Sequence, residues 1–173
     1  MLQRFLTLSA VLFLVACGGR NAAPPAVGVQ LKQSINVYLD DKIPYYDPLI
    51  IASNIKQECN SLGSALSNYI RAHSNDYNIN IIQVEDPSAI SSGLVLDLKI
   101  RSAVSAGNAW TGHKKQVLIA AELLKDGKKV KDFTASRNSM GGFWGGFKGS
   151  CDVLDRTVNA LGSDTAVWLS KNL

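Results

Sequence analysis

Histidine is scarce in this sequence. There are two, His73 and His113, and neither has a second histidine or a cysteine at metal-ligand spacing. That argues against a zinc motif of the usual kind. Three cysteines are too few for a cysteine-rich metal or disulfide scaffold. No apolar run reaches the roughly 20 residues that carry a helix across a bilayer. Charge of one sign is never concentrated. The 18 basic and 14 acidic residues leave a net +4 spread along the chain. Without a basic block or aromatic–basic interleaving, a nucleic-acid partner is excluded as a reading.

What is present begins at the amino end, MLQRFLTLSAVLFLVACGG. Arg4 supplies a short positive region, and Phe5 to Ala16 is an apolar run of secretory-signal length. Its end, Leu14-Val15-Ala16-Cys17, resembles the bacterial lipobox. The resemblance implies cleavage before Cys17, diacylglyceryl transfer to its sulfur, and acylation, typically with palmitate, of the new amine. Several acyl chains suffice for stable anchoring. Gly18 follows where an aspartate would imply retention in the inner membrane. The resemblance therefore implies an outer-membrane lipoprotein facing the periplasm. Removing residues 1–16 leaves 157 residues with 17 basic and 14 acidic side chains, enough for one domain with a core. Cys59 and Cys151 then form an even pair in an oxidising compartment, and a disulfide between them is expected.

Residues 17–30 read as the lipidated cysteine and a Pro/Gly/Ala-rich flexible tether, with a reach of roughly 20 Å. Residues 31–173 read as a single α+β domain. Alternation predicts strands at 34–39, 78–84, 94–104, 116–125 and 128–136. In the third, Leu94, Leu96, Leu98, Ile100 and Val104 are expected on one face, opposite Asp97, Lys99 and Arg101. The fourth is apolar on both faces and reads as a central strand. Asp126-Gly127 is a hairpin turn signal. Val130 and Phe133 fall on opposite faces, so the returning strand is expected to carry a bulge or form an edge. Ile55, Cys59, Leu62, Leu66, Tyr69 and Ile70 make a helical stripe over about 55–72. Asn54 and Gln57 form a candidate capping box before it. A final helix opens near Ser150 and buries Leu154, Val158, Leu161, Thr165 and Trp168. The expected order is β-α-β-β-β-β-α, a mainly antiparallel sheet of four to five strands with two helices on one face.

The stretch MGGFWGGFKGSC, Met140 to Cys151, is the one unusual local feature. It is not a phosphate-binding P-loop: Phe147 and Gly149 flank Lys148 and break the Gly-Lys-Ser order. Its glycines leave Phe143, Trp144 and Phe147 free either to fold over the core or to form an exposed aromatic surface with Trp110. Lys148 beside a helix start leaves an anion site open. GSCDVL resembles the nucleophile segment of periplasmic peptidoglycan endopeptidases, which implies Cys151 as nucleophile. That family places its histidine after the cysteine, and none follows here. His73 reads as a helix-end residue meeting carbonyls.

The lipobox, tether and small α+β domain together resemble a broad class of bacterial envelope lipoproteins. That class includes the curli-secretion lipoprotein, lipoprotein activators of penicillin-binding proteins, and TolB N-terminal-like domains. From that resemblance no functional residue beyond Cys17 carries over; the anchor, the short tether and the lack of an assembled catalytic set point to a non-enzymatic accessory or scaffold protein without cofactor or metal. It would hold the membrane through Cys17 and bind an envelope protein or peptidoglycan through loops bearing Trp110, Phe143, Trp144, Phe147 and Lys148. The alternatives are a cysteine-dependent cell-wall hydrolase using Cys151 and a carrier of a small apolar ligand.

Overall fold

The computed structural model describes residues 34–108, 112–140 and 150–173. The expected signal and tether lie wholly outside these residues. Five strands form one sheet: β1 (Ile35–Asp40), β2 (Ile79–Val84), β3 (Leu94–Asn108), β4 (Gly112–Lys125) and β5 (Lys128–Met140). The helices are α1 (Ser53–Glu58), α2 (Leu62–Ser74) and α3 (Ser150–Asn172). The strand order is β2-β1-β3-β4-β5. β1 pairs in parallel with both β2 and β3, and β3, β4 and β5 form an antiparallel meander. The meander supplies most of the pairing, so the α+β, mainly antiparallel expectation holds. The parallel strands at one side and the third helix are additions to it.

One face of the sheet is apolar, and the helices cover it. Val37, Leu39, Leu96, Leu98, Ile100, Val117, Ile119 and Leu123 meet Ile55, Leu66, Ile70, Leu154, Val158, Leu161 and Leu169 there. Each large aliphatic side chain so buried contributes roughly 1.5–3 kcal/mol. Trp168 stacks on Phe133 of β5, ring centroids 5.1 Å apart, and so packs as the α3 stripe predicts. The predicted stripe residues Leu154, Val158, Leu161 and Thr165 are all fully buried. Thr165 resolves its polar group by donating its hydroxyl to the Leu161 carbonyl, 2.8 Å away.

The expected face of Val104 is wrong. The β3–β4 register slips between Ile100 and Ser102. One extra residue reverses the side on which every later residue points. Ala103, 4% exposed, takes the core side opposite Val117. A second slip, between Leu123 and Leu124, leaves Val130 outside the β4–β5 register and 48% exposed. β5 is thus both bulged and an edge. Asp126 and Gly127 both have positive φ, 51° and 75°, the backbone that a tight two-residue hairpin requires.

The single helix expected over 55–72 is two helices offset at Cys59–Ser61. A Cβ on Gly63 would lie 2.2 Å from the Ile43 carbonyl oxygen. The first turn of α2 therefore packs directly on the backbone that follows β1. The capping box is also corrected: α1 starts at Ser53 behind Ala52, with no side-chain cap. α2 and α3 approach closely at Gly162, where a Cβ would lie 2.6 Å from that of Tyr69. Tyr69 donates its hydroxyl to Asp155 Oδ2 at 2.8 Å. His73 pairs through Nε2 with Asn159 Oδ1 at 2.8 Å instead of meeting helix-end carbonyls.

Candidate functional site

Cys59 and Cys151 are joined by a disulfide, Cα atoms 5.3 Å apart across 92 residues of sequence. It ties the α1–α2 step to the first turn of α3. A sulfur in this bond carries no thiolate, the form a cysteine nucleophile needs. Cys17, Trp110, Phe143, Trp144, Phe147 and Lys148 lie outside the described residues. The strand ends that flank the aromatic segments are described. Asn108 faces Gly112, and Met140 pairs with Lys114. β3 runs parallel to β1, so these ends lie at the opposite end of the sheet from Ser34.

The described surface offers a second loop cluster. Between β1 and α1 the chain reads KIPYYDPLIIA. Ile43 and Ile51 are buried at its two feet. Tyr45 joins β3 by a parallel bridge to Ile100. Between them Leu49 is 90% exposed, Ile50 64% and Tyr46 59%. The loop is held in shape. Leu49 N–H donates to Asp47 Oδ1 at 2.9 Å, and Lys56 Nζ donates to the Pro48 carbonyl at 2.8 Å. The two prolines and the tyrosine pair mark this stretch as a loop in the sequence, but nothing there singles out Leu49 and Ile50.

The sheet face away from the helices is polar and partly crossed by chain. Residues 85–93 carry the connection from β2 over β1 to β3, and their turn at Pro87–Ala89 helps cover Val95. Beside this crossing is a depression of about 240 Å³ that includes Asp40, Asp86, Asp97 and Lys99. Burial raises the Asp40 carboxyl above its ordinary value, the Lys42 N–H opposes this, and the charges of Asp41, Asp86 and Asp97 add to it. A larger, shallower depression of about 480 Å³ lies over the meander, with Tyr46, Lys99, Arg101, Glu122 and Lys129 in its lining. Arg101 sits 3.6 Å from the Tyr46 ring centroid, a cation–π contact. Lys129 Nζ lies 2.8 Å from Glu122 and 3.7 Å from Asp132. These charges are largely matched, so the face favours a polar contact surface over a pocket for an apolar molecule. On the helix side, Lys115 is buried and donates to Ser105 Oγ. Among the described residues no cluster of three or more His, Cys, Asp or Glu is placed to hold a metal ion.

No family model matches the chain, and no curated protein does. Similar solved structures exist. Protein XCC0632 of Xanthomonas campestris, from the DUF330 family, aligns at 11% identity over 80% of this chain and 86% of its own, with TM-score 0.53. That likeness is one of fold. PelC of Paraburkholderia phytofirmans, solved as a dodecamer, aligns at 13% identity over 76% and 88%, TM-score 0.49. A minor lipoprotein of Acinetobacter baumannii aligns at 10% over 79% and 93%, TM-score 0.46.

Proposed function

We propose that this chain is a lipid-anchored outer-membrane protein, facing the periplasm, that serves without catalysis as an accessory or scaffold subunit of an envelope complex. The observation that carries the reading is the pairing of the cysteines. With Cys59 bonded to Cys151, Cys17 is the one cysteine left over, and it stands at the end of an apolar leader in a lipobox-like setting. A disulfide also suits a compartment outside the cytosol. Gly18 after the cysteine supports the outer membrane over the inner. The bonded state of Cys151 weighs against a thiol hydrolase. The aliphatic packing between sheet and helices weighs against a carrier of an apolar ligand in that layer.

We assign the partner-binding surface to two sets of loops. These are the Tyr46–Ile50 loop and the segments bearing Trp110, Phe143, Trp144, Phe147 and Lys148, the latter outside the described residues. A protein or peptidoglycan partner is the matching class. The test is metabolic labelling with an alkyne palmitate analogue, followed by membrane fractionation. Label and outer-membrane recovery in the native chain, both lost in Cys17→Ala, support the anchor; an unlabelled native chain overturns it. In-cell crosslinking with mass spectrometry then reads the partner, and recovery of none in several growth conditions counts against the scaffold role.

A further inference from the structure

Among the described residues β5 pairs with β4 alone, so its outer side is an open edge. Such an edge presents unpaired N–H and C=O groups to an incoming strand, and natural sheets blunt it with lysine and bulges. β5 carries both devices in its first half only. Lys128, Lys129 and Lys131 are exposed there, and the register breaks at Val130. From Phe133 to Met140 the sequence is FTASRNSM, with no lysine, no proline and an unbroken register.

A groove runs beside this edge. Cross-strand partners share a face, and Lys131, Phe133, Ala135 and Arg137 are partnered by buried residues of β4, from Leu123 to Val117. All four therefore lie on the helix side. α3 passes over them in the opposite direction: Asp164 meets Arg137, and Trp168 stacks on Phe133. Between the two elements is an open groove of about 450 Å³, its apolar part formed by Phe133, Ala135, Val167 and Trp168. The two ends of the groove differ in charge. At one end Arg137 is matched by Asp164, Nε–Oδ2 at 2.6 Å and Nη2–Oδ1 at 2.5 Å. At the other, Lys171 follows Trp168 by about one turn and Lys131 precedes Phe133 by one alternate position. Both lysines are exposed, and neither is in an ion pair among the described residues.

We propose that this groove is a strand-addition site for an extended, acid-bearing segment of another protein. The segment pairs with β5 along Phe133–Arg137, lays an apolar side chain against Phe133 and Trp168, and sets a carboxylate between Lys131 and Lys171. The open ladder groups select an extended backbone, since only a strand answers a row of alternating donors and acceptors. The groove selects the side chains. Those on one face of a strand recur every second residue, so the apolar and acidic residues stand two positions apart. Charge decides against a second copy pairing through its own β5. That strand would bring Lys131, Phe133, Ala135, Arg137 and Ser139 to the groove, with no acid for the lysines. The proposal stands on the edge and the groove and does not depend on the lipid anchor.

The test uses the purified full chain and fluorescein-labelled peptides of alternating threonine and valine that carry one phenylalanine and one glutamate two positions apart. Placing phenylalanine before glutamate in one peptide and after it in the other covers both strand directions. The expected result is saturable binding of at least one, with amide exchange slowed at alternate residues of Phe133–Asn138. Lysine in place of the glutamate should weaken binding roughly tenfold, and K131E with K171E should reverse that preference. Both lysines are exposed, so the melting temperature of the double variant should stay unchanged. Binding of neither peptide, equal binding of the glutamate and lysine forms, or protection that falls outside β5 each overturn the proposal. Protection of β5 that rises with protein concentration in the absence of peptide overturns it as well, because a second copy then fills the edge.

Discussion

From β1 to β2 the chain makes strands of six residues and depends on a few close joints. From β3 to β5 it makes strands of 13 to 15 residues and depends on a repeated ladder. In the first region Gly63 touches the Ile43 carbonyl. Ser67 donates to the Asp40 carbonyl at 2.6 Å and accepts from Gln83 at 2.9 Å. Cys59 is bonded to a residue 92 positions away. In the meander, each pair of residues does much the same work as the next, and two register slips are absorbed without breaking the sheet. A parallel arrangement needs long crossovers, and each crossover must be fixed in place by particular contacts. A meander needs only turns. Single substitutions should therefore be severe in the first region and mild in the second.

The largest test is removal of the bridge. Cys59→Ala with Cys151→Ala should lower stability by roughly 4–5 kcal/mol, the chain-entropy value for so long a loop, read by urea unfolding. Next is Gly63→Ala, expected to cost about 2–3 kcal/mol because a backbone oxygen cannot yield. Its counterpart in the meander is Gly127→Ala, with nothing within 4 Å of the new Cβ. It should cost only about 1 kcal/mol, from the positive φ alone. A Gly127 variant as damaging as the Gly63 variant would break the contrast. Ser67→Ala, which leaves a partly buried joint without its donor, should cost about 1–2 kcal/mol. Arg137→Ala, which removes an exposed ion pair from β5 to Asp164 of α3, should cost below about 1 kcal/mol.

A pH scan gives the finest comparison. Donation of the Tyr69 hydroxyl to Asp155 raises the phenol above its ordinary value near 10, burial adds to the rise, and the Asp155 charge contributes last. A raised folded value means the neutral form is favoured in the native state. Its contribution is full below pH ~10 and is lost as pH climbs through the folded value. Tyr69→Phe should flatten that alkaline decline, measured by denaturant midpoint across pH 8 to 11.

The strands were legible because alternation of Ile, Leu and Val with polar residues is a local property. So was the burial of α3, whose stripe from Leu154 to Trp168 holds one period. The step between α1 and α2 was not legible: Ile55, Cys59, Leu62 and Leu66 keep helical spacing across it, and the contact of Gly63 with Ile43 beside it is one that no spacing reports. The reversal of Val104 was hidden likewise, since SAVSAGN alternates in either register. Parallel pairing of β1 with β3 is a matter of topology that their own sequences do not encode. At the site, the Cys59–Cys151 pair was legible by count. The prolines mark a loop around Leu49 and Ile50, but only the buried feet Ile43 and Ile51 reveal that these two side chains are pushed outward.

The span of the bridge also bears on delivery. A chain exported amino end first presents Cys59 to the oxidising side while 92 residues up to Cys151 are still to follow. No native partner for Cys59 exists there until β5 has emerged and the start of α3 is through. On the export proposed above, the bond would close correctly only on a nearly finished translocation, and a stalled chain would leave Cys59 open to a stray thiol.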